Sequence, residues 1–138
     1  MEIIMRPVGY VHSEYTVDNR PPRQSILNLE KTAVIEILEE FQEATLGLEK
    51  GMHIVVLFNF HKSTGYKLRH FPHGQDVLKG VFASRSPNRP NGIGMSICEI
   101  EDINGRMITI RGVDMLDETP VLDIKPYSPK LNPENRGA

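Results

Sequence analysis

The chain has 138 residues, 39% hydrophobic and 25% charged, with a formal net charge of −2. That length holds one domain with its own core, and the composition excludes whole-chain disorder and a fibrous structure. No apolar run approaches the ~20 residues of a membrane helix, the start lacks a secretory signal, and the single cysteine, Cys98, precludes an internal disulfide, so we expect a cytoplasmic protein with no membrane association.

Residues 5–12 read as a first strand beginning near Pro7, a residue tolerated at strand starts and edges. Residues 17–25 follow as a loop, because Pro21 and Pro22 in succession exclude a helix and a central strand. Residues 31–38, rich in Val and Ile, predict a second strand. Residues 39–48 carry Phe41, Ala44, Thr45 and Leu48 at helical spacing, with Gly47 and Gly51 to end the helix. The continuous β-branched and aromatic run at 53–60 predicts a buried strand at the centre of the sheet. Further strands are expected at 78–84, 95–103 and 107–113, the last two joined by a hairpin turn at Asn104 and Gly105. No strand alternates with the helices that a parallel sheet requires. The expected fold is therefore mainly β, a small antiparallel β-barrel with one or two short helices, spanning residues 1–129 and followed by a tail at 130–138.

Charge is unevenly distributed. Residues 61–90 hold six basic residues, Lys62, Lys67, Arg69, Lys79, Arg85 and Arg89, against one acidic residue, Asp76. By contrast, residues 36–49 contain Glu36, Glu39, Glu40, Glu43 and Glu49 and no base. A polyanion would meet the middle of the chain, unless that stretch is simply a solvated basic loop. His61, His70 and His73, set among Lys and Arg, are a poor ligand pattern, so no metal is expected. Cys98, inside the apolar run 97–100, reads as a core thiol rather than a nucleophile.

Two segments combine reactive side chains with restricted backbones. Residues 84–94 place Arg85 and Arg89 among two prolines and the glycines Gly92 and Gly94, which suits a fixed loop offering guanidinium groups and backbone amides to a carboxylate or phosphate. The alternative is a rigid loop whose arginines point to water. In residues 114–127, Asp117, Glu118 and Thr119 suit an amine or a ribose, and Asp123, Lys125 and Tyr127 form a proton-transfer set. The same residues also read as a turn followed by a strand with outward charges. There is no GxGxxG after a strand, no GxxxxGK[ST] and no GxSxG, which disfavours Rossmann, P-loop and serine-hydrolase chemistry.

Residues 80–96 (GVFASRSPNRPNGIGMS) and 112–127 (GVDMLDETPVLDIKPY) resemble, in sequence and order, two signatures of the TsaA-like family, the tRNA methyltransferase O proteins. Residues 8–13 (VGYVHS), 22–24 (PRQ) and 57–62 (LFNFHK) extend the resemblance over nearly all of the chain. It implies a β-barrel that binds S-adenosylmethionine without a Rossmann fold, usually as a homodimer. It also implies methyl transfer to the exocyclic nitrogen of threonylcarbamoyl-adenosine beside the tRNA anticodon. The family's cofactor contacts then fall on Arg23, Gln24, Ser25, Ile26, Leu27, His61, Lys62, Arg85, Met95, Asp117, Glu118, Thr119, Pro120 and Val121. Lys62, Lys67, Arg69 and Arg89 are expected to meet tRNA phosphates, and Asp123, Lys125 and Tyr127 to handle the proton that leaves the acceptor nitrogen.

Two positions depart from the family pattern. The usual Asn-Pro-Ile-Gly has Gly92 in place of proline, and the usual Asp-Gly-Thr-Pro has Glu118 in place of glycine. The second adds a charge and hinders a positive φ where a ligand is expected. The chain also ends soon after the second signature, so the C-terminal domain of longer members is expected to be missing. Alternative functions are methylation of a small molecule or another RNA, and a non-catalytic RNA-binding or S-adenosylmethionine-sensing module.

Overall fold

The computed structural model describes residues 1–18 and 31–135. Eight strands form in chain order: β1 (Gly9–His12), β2 (Thr32–Ile37), β3 (His53–Asn59), β4 (Arg69–His70), β5 (Lys79–Gly80), β6 (Ile93–Asn104), β7 (Met107–Arg111) and β8 (Pro120–Pro126). Six of them close an antiparallel barrel in the order β1-β2-β7-β6-β3-β8, and β8 pairs back onto β1; β4 and β5 form a separate two-stranded ribbon. Closure leaves the barrel without a sheet edge or centre. Strand β3 accordingly buries only alternate residues, Ile54, Val56 and Phe58, rather than its whole run.

The interior is packed with side chains. Val11, Ile35, Ile54, Val56, Ile100, Ile108, Ile110 and Val121 are fully buried and come from every barrel strand, each contributing about 1.5–3 kcal/mol of apolar burial. Gly94 lies among them because a β-carbon there would sit 2.5 Å from the Phe58 ring and 2.8 Å from that of Phe60. Those two rings pack edge to face with centroids 5.2 Å apart.

Three expected elements differ. Residues 39–48 were expected as an α-helix but form a 3₁₀ helix, Glu39–Thr45, whose bonds run three residues back, as from Phe41 N to Leu38 O. Its acidic first turn has no basic partner in the last, and a turn of this length gains little from propagation. The strand expected at 78–84 shrinks to β5, after which Val81–Ala83 makes a 3₁₀ turn that buries only Val81. The hairpin after β6 pairs Asn104 with Met107, so its central residues are Gly105 and Arg106 rather than Asn104 and Gly105. A glycine with φ 60 at the first central position gives the type II′ geometry. Among the described residues no helix is long and apolar enough to cross a membrane.

Because the barrel strands run alternately up and down, every second connection emerges at the same end. Residues 13–18, 60–92 and 112–119 therefore share one end of the barrel. The other end carries 38–52, the β6–β7 turn and residues 127–135.

Candidate functional site

The shared end is held together by bonds between residues about a hundred positions apart. Asp117 N donates to Tyr15 O at 2.7 Å, and Glu118 N donates to Val11 O at 2.6 Å. In return, Ser13 N donates to an Asp117 carboxylate oxygen at 3.0 Å, and Ser13 Oγ to Met115 O at 2.9 Å. Thr119 is buried, and its hydroxyl donates to Leu116 O at 2.7 Å. The side chains of Asp117 and Thr119 thus hold the turn, while Glu118 stays exposed. Glu118 is the only described non-glycine residue with a positive φ, 66°. The position that departs from the family's glycine still takes a glycine's backbone conformation.

At the same end of the barrel, a cleft of about 240 Å³ opens between the end of β3 and residues 87–92, lined by Asn59, Phe60, His61, Tyr66, Arg89 and Gly92 among others. Phe60 N and the Asn59 amide both donate to Gly92 O, at 2.8 and 3.4 Å. Gly92 has φ 58, which a proline cannot adopt, so at the other departure from the family pattern this loop follows a path of its own. Arg89 is half-buried, and its guanidinium donates to Ser84 O at 2.9 Å and Ser86 O at 3.2 Å. It shapes the loop from within, whereas Arg85 is exposed.

Two buried polar atoms at this end have no hydrogen-bond partner among the described residues, His61 Nε2 and Asp114 Oδ1. Such orphans normally cost about 1–3 kcal/mol each; the third among the described residues, Glu101 Oε2, lies on β6. Burial pushes the Asp114 carboxyl above the usual carboxylate range. Hydrogen bonding from Ser96 and its own backbone amide, and the nearby charge of Arg85, pull it partly back. Sequence reasoning passed over Asp114, although it stands inside the second signature. Its signal was an acid flanked by the buried apolar residues Val113 and Met115.

The outer wall of the barrel continues from the cleft. Cross-strand registers set Ile93 opposite Asn59, then Met95 opposite Leu57 opposite Asp123, then Ile97 opposite Val55 opposite Lys125. Lys125 and Asp123 form an ion pair at 2.8 Å, half-exposed on this wall. Met95 and Asp123 thus share one row below the cleft. Tyr127 lies at the opposite end, where its N donates to His53 O and its hydroxyl accepts from the Asn132 amide. Strand β8 separates it from Pro120 by about 20 Å.

Of the residues singled out in the sequence, the structure gathers His61, Lys62, Arg85, Arg89 and residues 117–121 at one end, with Met95, Asp123 and Lys125 on the adjoining wall. Arg23, Gln24, Ser25, Ile26 and Leu27 lie outside the described residues. Lys62, Lys67 and Arg69 are exposed, and the last two belong to the β4–β5 ribbon and its approach. Cys98 is a core thiol as expected, with Sγ 3.6 Å from Ser96 Oγ. Burial pushes its pKa up to about 11.

A family model described as the tRNA-methyltransferase O N-terminal domain matches residues 10–132. An S-adenosyl-L-methionine-binding protein of Archaeoglobus fulgidus is 37% identical over 134 residues, covering 97% of this chain and 96% of that protein. A tRNA (adenine(37)-N6)-methyltransferase of Mus musculus is 37% identical over 132 residues, covering 91% of this chain but 31% of that enzyme. A crystal structure of TrmO from Pseudomonas aeruginosa superposes with a TM-score of 0.81 at 37% identity, covering 96% of this chain and 59% of that one. The chain thus spans less than two thirds of the mouse enzyme and of the crystallised protein.

Proposed function

This chain belongs to the tRNA-methyltransferase O N-terminal-domain family, and we propose that it is an S-adenosylmethionine-dependent methyltransferase acting on the exocyclic nitrogen of a tRNA adenosine beside the anticodon, in its threonylcarbamoyl-modified form. The observation that carries this reading is that the signature stretches emerge at one barrel end, where a cleft lined by His61 and residues of the first stretch opens and where His61 Nε2 and Asp114 Oδ1 stand unpaired. A cleft of about 240 Å³ is below the range of about 300–1,000 Å³ for small-molecule sites. It therefore suits part of such a cofactor, and the remainder would lie along the Met95 wall; contacts from Arg23, Gln24, Ser25, Ile26 and Leu27 are implied by the family resemblance.

When bound, S-adenosylmethionine supplies an electrophilic methyl group. Arg85 holds the carboxylate of its amino-acid portion, a pairing suited to guanidinium geometry. His61 and Lys62 offer polar partners at the mouth of the cleft. Among Asp117, Glu118, Thr119, Pro120 and Val121, the exposed Glu118 carboxylate reads the adenine or ribose, since the Asp117 and Thr119 side chains and the amides of Asp117, Glu118 and Thr119 are committed to holding the turn. Asp123 takes the proton released by the acceptor nitrogen, with Lys125 beside it stabilising negative charge. Tyr127, a full strand length away, joins the same site only across a homodimer. The apolar outer-wall side chains Ile93, Met95 and Ile97, all exposed, provide a surface for such a pairing. Lys62, Lys67 and Arg69 meet tRNA phosphates, while Arg89 supports that surface from inside the loop. The site of action is the cytoplasm.

The deciding assay incubates the protein with methyl-labelled donor and tRNA lacking or containing the threonylcarbamoyl group. Label confined to modified tRNA supports the reading. Label on unmodified tRNA alone refutes the substrate, and donor binding without transfer to any RNA points to a silent sensing module.

A further inference from the structure

The β4–β5 ribbon carries large apolar side chains that neither the barrel nor the cleft uses. Phe82 is 82% exposed and Phe71 61%, with Leu68 and Leu78 exposed beside them. Burying a phenylalanine ordinarily contributes about 1.5–3 kcal/mol, so two exposed rings on one small element need an occupant.

The ribbon is firmly held. Val81 is buried beneath it and its N donates to Leu68 O at 2.9 Å; His70 Nε2 lies 2.7 Å from Ser84 Oγ; Lys67 N donates to Asn88 O at 3.4 Å. The register pairs Arg69 with Gly80 and His70 with Lys79. Side chains alternate along a strand, so with His70 turned to Ser84, Arg69 and Phe71 share the opposite, outward face. Glycine opposite Arg69 leaves that rung open, and Phe82 follows in the 3₁₀ turn Val81–Ala83 just beyond the partner strand, where Val81 N bonds Leu68 O beside Lys67. Along the ribbon the exposed side chains therefore run from Phe82 and Lys67 through Arg69 to Phe71.

We propose that this ribbon is a stacking platform for unpaired nucleotides of the RNA substrate, with Phe71 and Phe82 receiving base faces and Lys67 and Arg69 the phosphates between them. The inference rests on the tRNA reading above and adds how the RNA loop is gripped. Charge chooses the occupant: the surrounding stretch 61–90 has six bases and one acid, whereas the core of a protein–protein interface is depleted of charge. Rings flanking cations match single-stranded or looped RNA, whose splayed bases stack on aromatic side chains.

The test uses Phe71→Leu, Phe82→Leu, Phe82→Trp and Arg69→Gln. Readouts are the KM for tRNA in methyl transfer and the Kd for an anticodon stem-loop RNA over a salt series. Each leucine variant is expected to raise both constants roughly five- to tenfold, the low end of base–aromatic stacking. Phe82→Trp is expected to retain wild-type values. The leucine variants keep the wild-type dependence of log Kd on log salt, whereas Arg69→Gln lowers that slope by about one. Donor affinity and melting temperature stay unchanged in all four. Leucine variants that match wild type on an RNA that wild type binds and methylates overturn the platform alone. A fall in oligomeric state on light scattering would overturn it by assigning the surface to a second copy. Wild-type protein that neither binds nor methylates any tRNA overturns the functional reading itself, and the platform with it.

Discussion

Replacing Glu118 by glycine should make the protein more stable. Glu118 holds φ 66, a region that costs a residue with a β-carbon about 1–2 kcal/mol. Its backbone is fixed there by N–H bonds from Glu118 to Val11 O and from Asp117 to Tyr15 O, neither of which involves its exposed side chain. Glycine removes the steric cost and gives back about 0.4–1 kcal/mol through greater freedom of the unfolded chain, for a net gain of about 0.5–1 kcal/mol. With unfolding entropy of about 2.1 cal/mol/K per residue over this length, the melting temperature should rise by about 2–3 °C. The assay is thermal unfolding of wild type, Glu118→Gly and Glu118→Ala by circular dichroism. Alanine, which removes the charge but keeps the β-carbon, should not reproduce the gain. If Glu118→Gly melts at or below wild type, or if alanine stabilises equally, strain at this turn is not what the position stores.

Gly94→Ala should destabilise by about 1–3 kcal/mol through overpacking against Phe58 and Phe60, seen as a lower urea midpoint at unchanged slope. Arg89→Ala, which loses the bonds to Ser84 O and Ser86 O, should cost about 1–2 kcal/mol and expose residues 84–92 to proteolysis. The Cys98 thiol, raised by burial from 9.0 to about 11, keeps its proton more tightly when folded. The Cys98 contribution to stability should therefore be level below pH 9.0 and fall between there and about pH 11, by on the order of 3 kcal/mol. Cys98→Ala should abolish that alkaline fall in denaturant titrations, and the native thiol should resist disulfide reagents at neutral pH. Asp114, a carboxyl raised by burial, likewise binds its proton more tightly when folded, so it removes stability as pH climbs above the ordinary carboxylate value of 3.8. Asp114→Asn should flatten that slope in acid-range unfolding curves.

Runs rich in β-branched and aromatic residues located the barrel strands: β2, β3 and β7 lie within their expected ranges and β6 extends past its own at both ends. They failed where an apolar run is not a core face. In the expected strand at 78–84 only Val81 is buried, so a stretch that reads as β-forming presents Leu78 and Phe82 to solvent instead. The acidic stretch at 39–48 kept its helical spacing but lacked the length and charge balance to sustain α-helical bonding. Asp114 was illegible for a different reason, since the burial that raises its carboxyl, and Ser96 on β6 and Arg85 in another loop that pull it partly back, all come from distant parts of the chain. No local pattern reports that convergence.

Strand parity shows how much one misjudged element matters. In a barrel whose successive strands reverse direction, two loops lie at the same end only if an even number of barrel strands separates them. A strand at 78–84 counted into the barrel would put three strands between His61 and Asp117, and so place them at opposite ends. It would also part His61 and Lys62 from Arg85. Moving that segment out of the barrel, into the ribbon with β4, leaves only β6 and β7 between them. His61, Lys62, Arg85 and Asp117 then fall at one end, joined there by the start of the β1–β2 connection through Ser13 and Tyr15. The shared site therefore follows from chain topology, and the exposed ribbon that proper counting requires is the element that carries the two unburied phenylalanines.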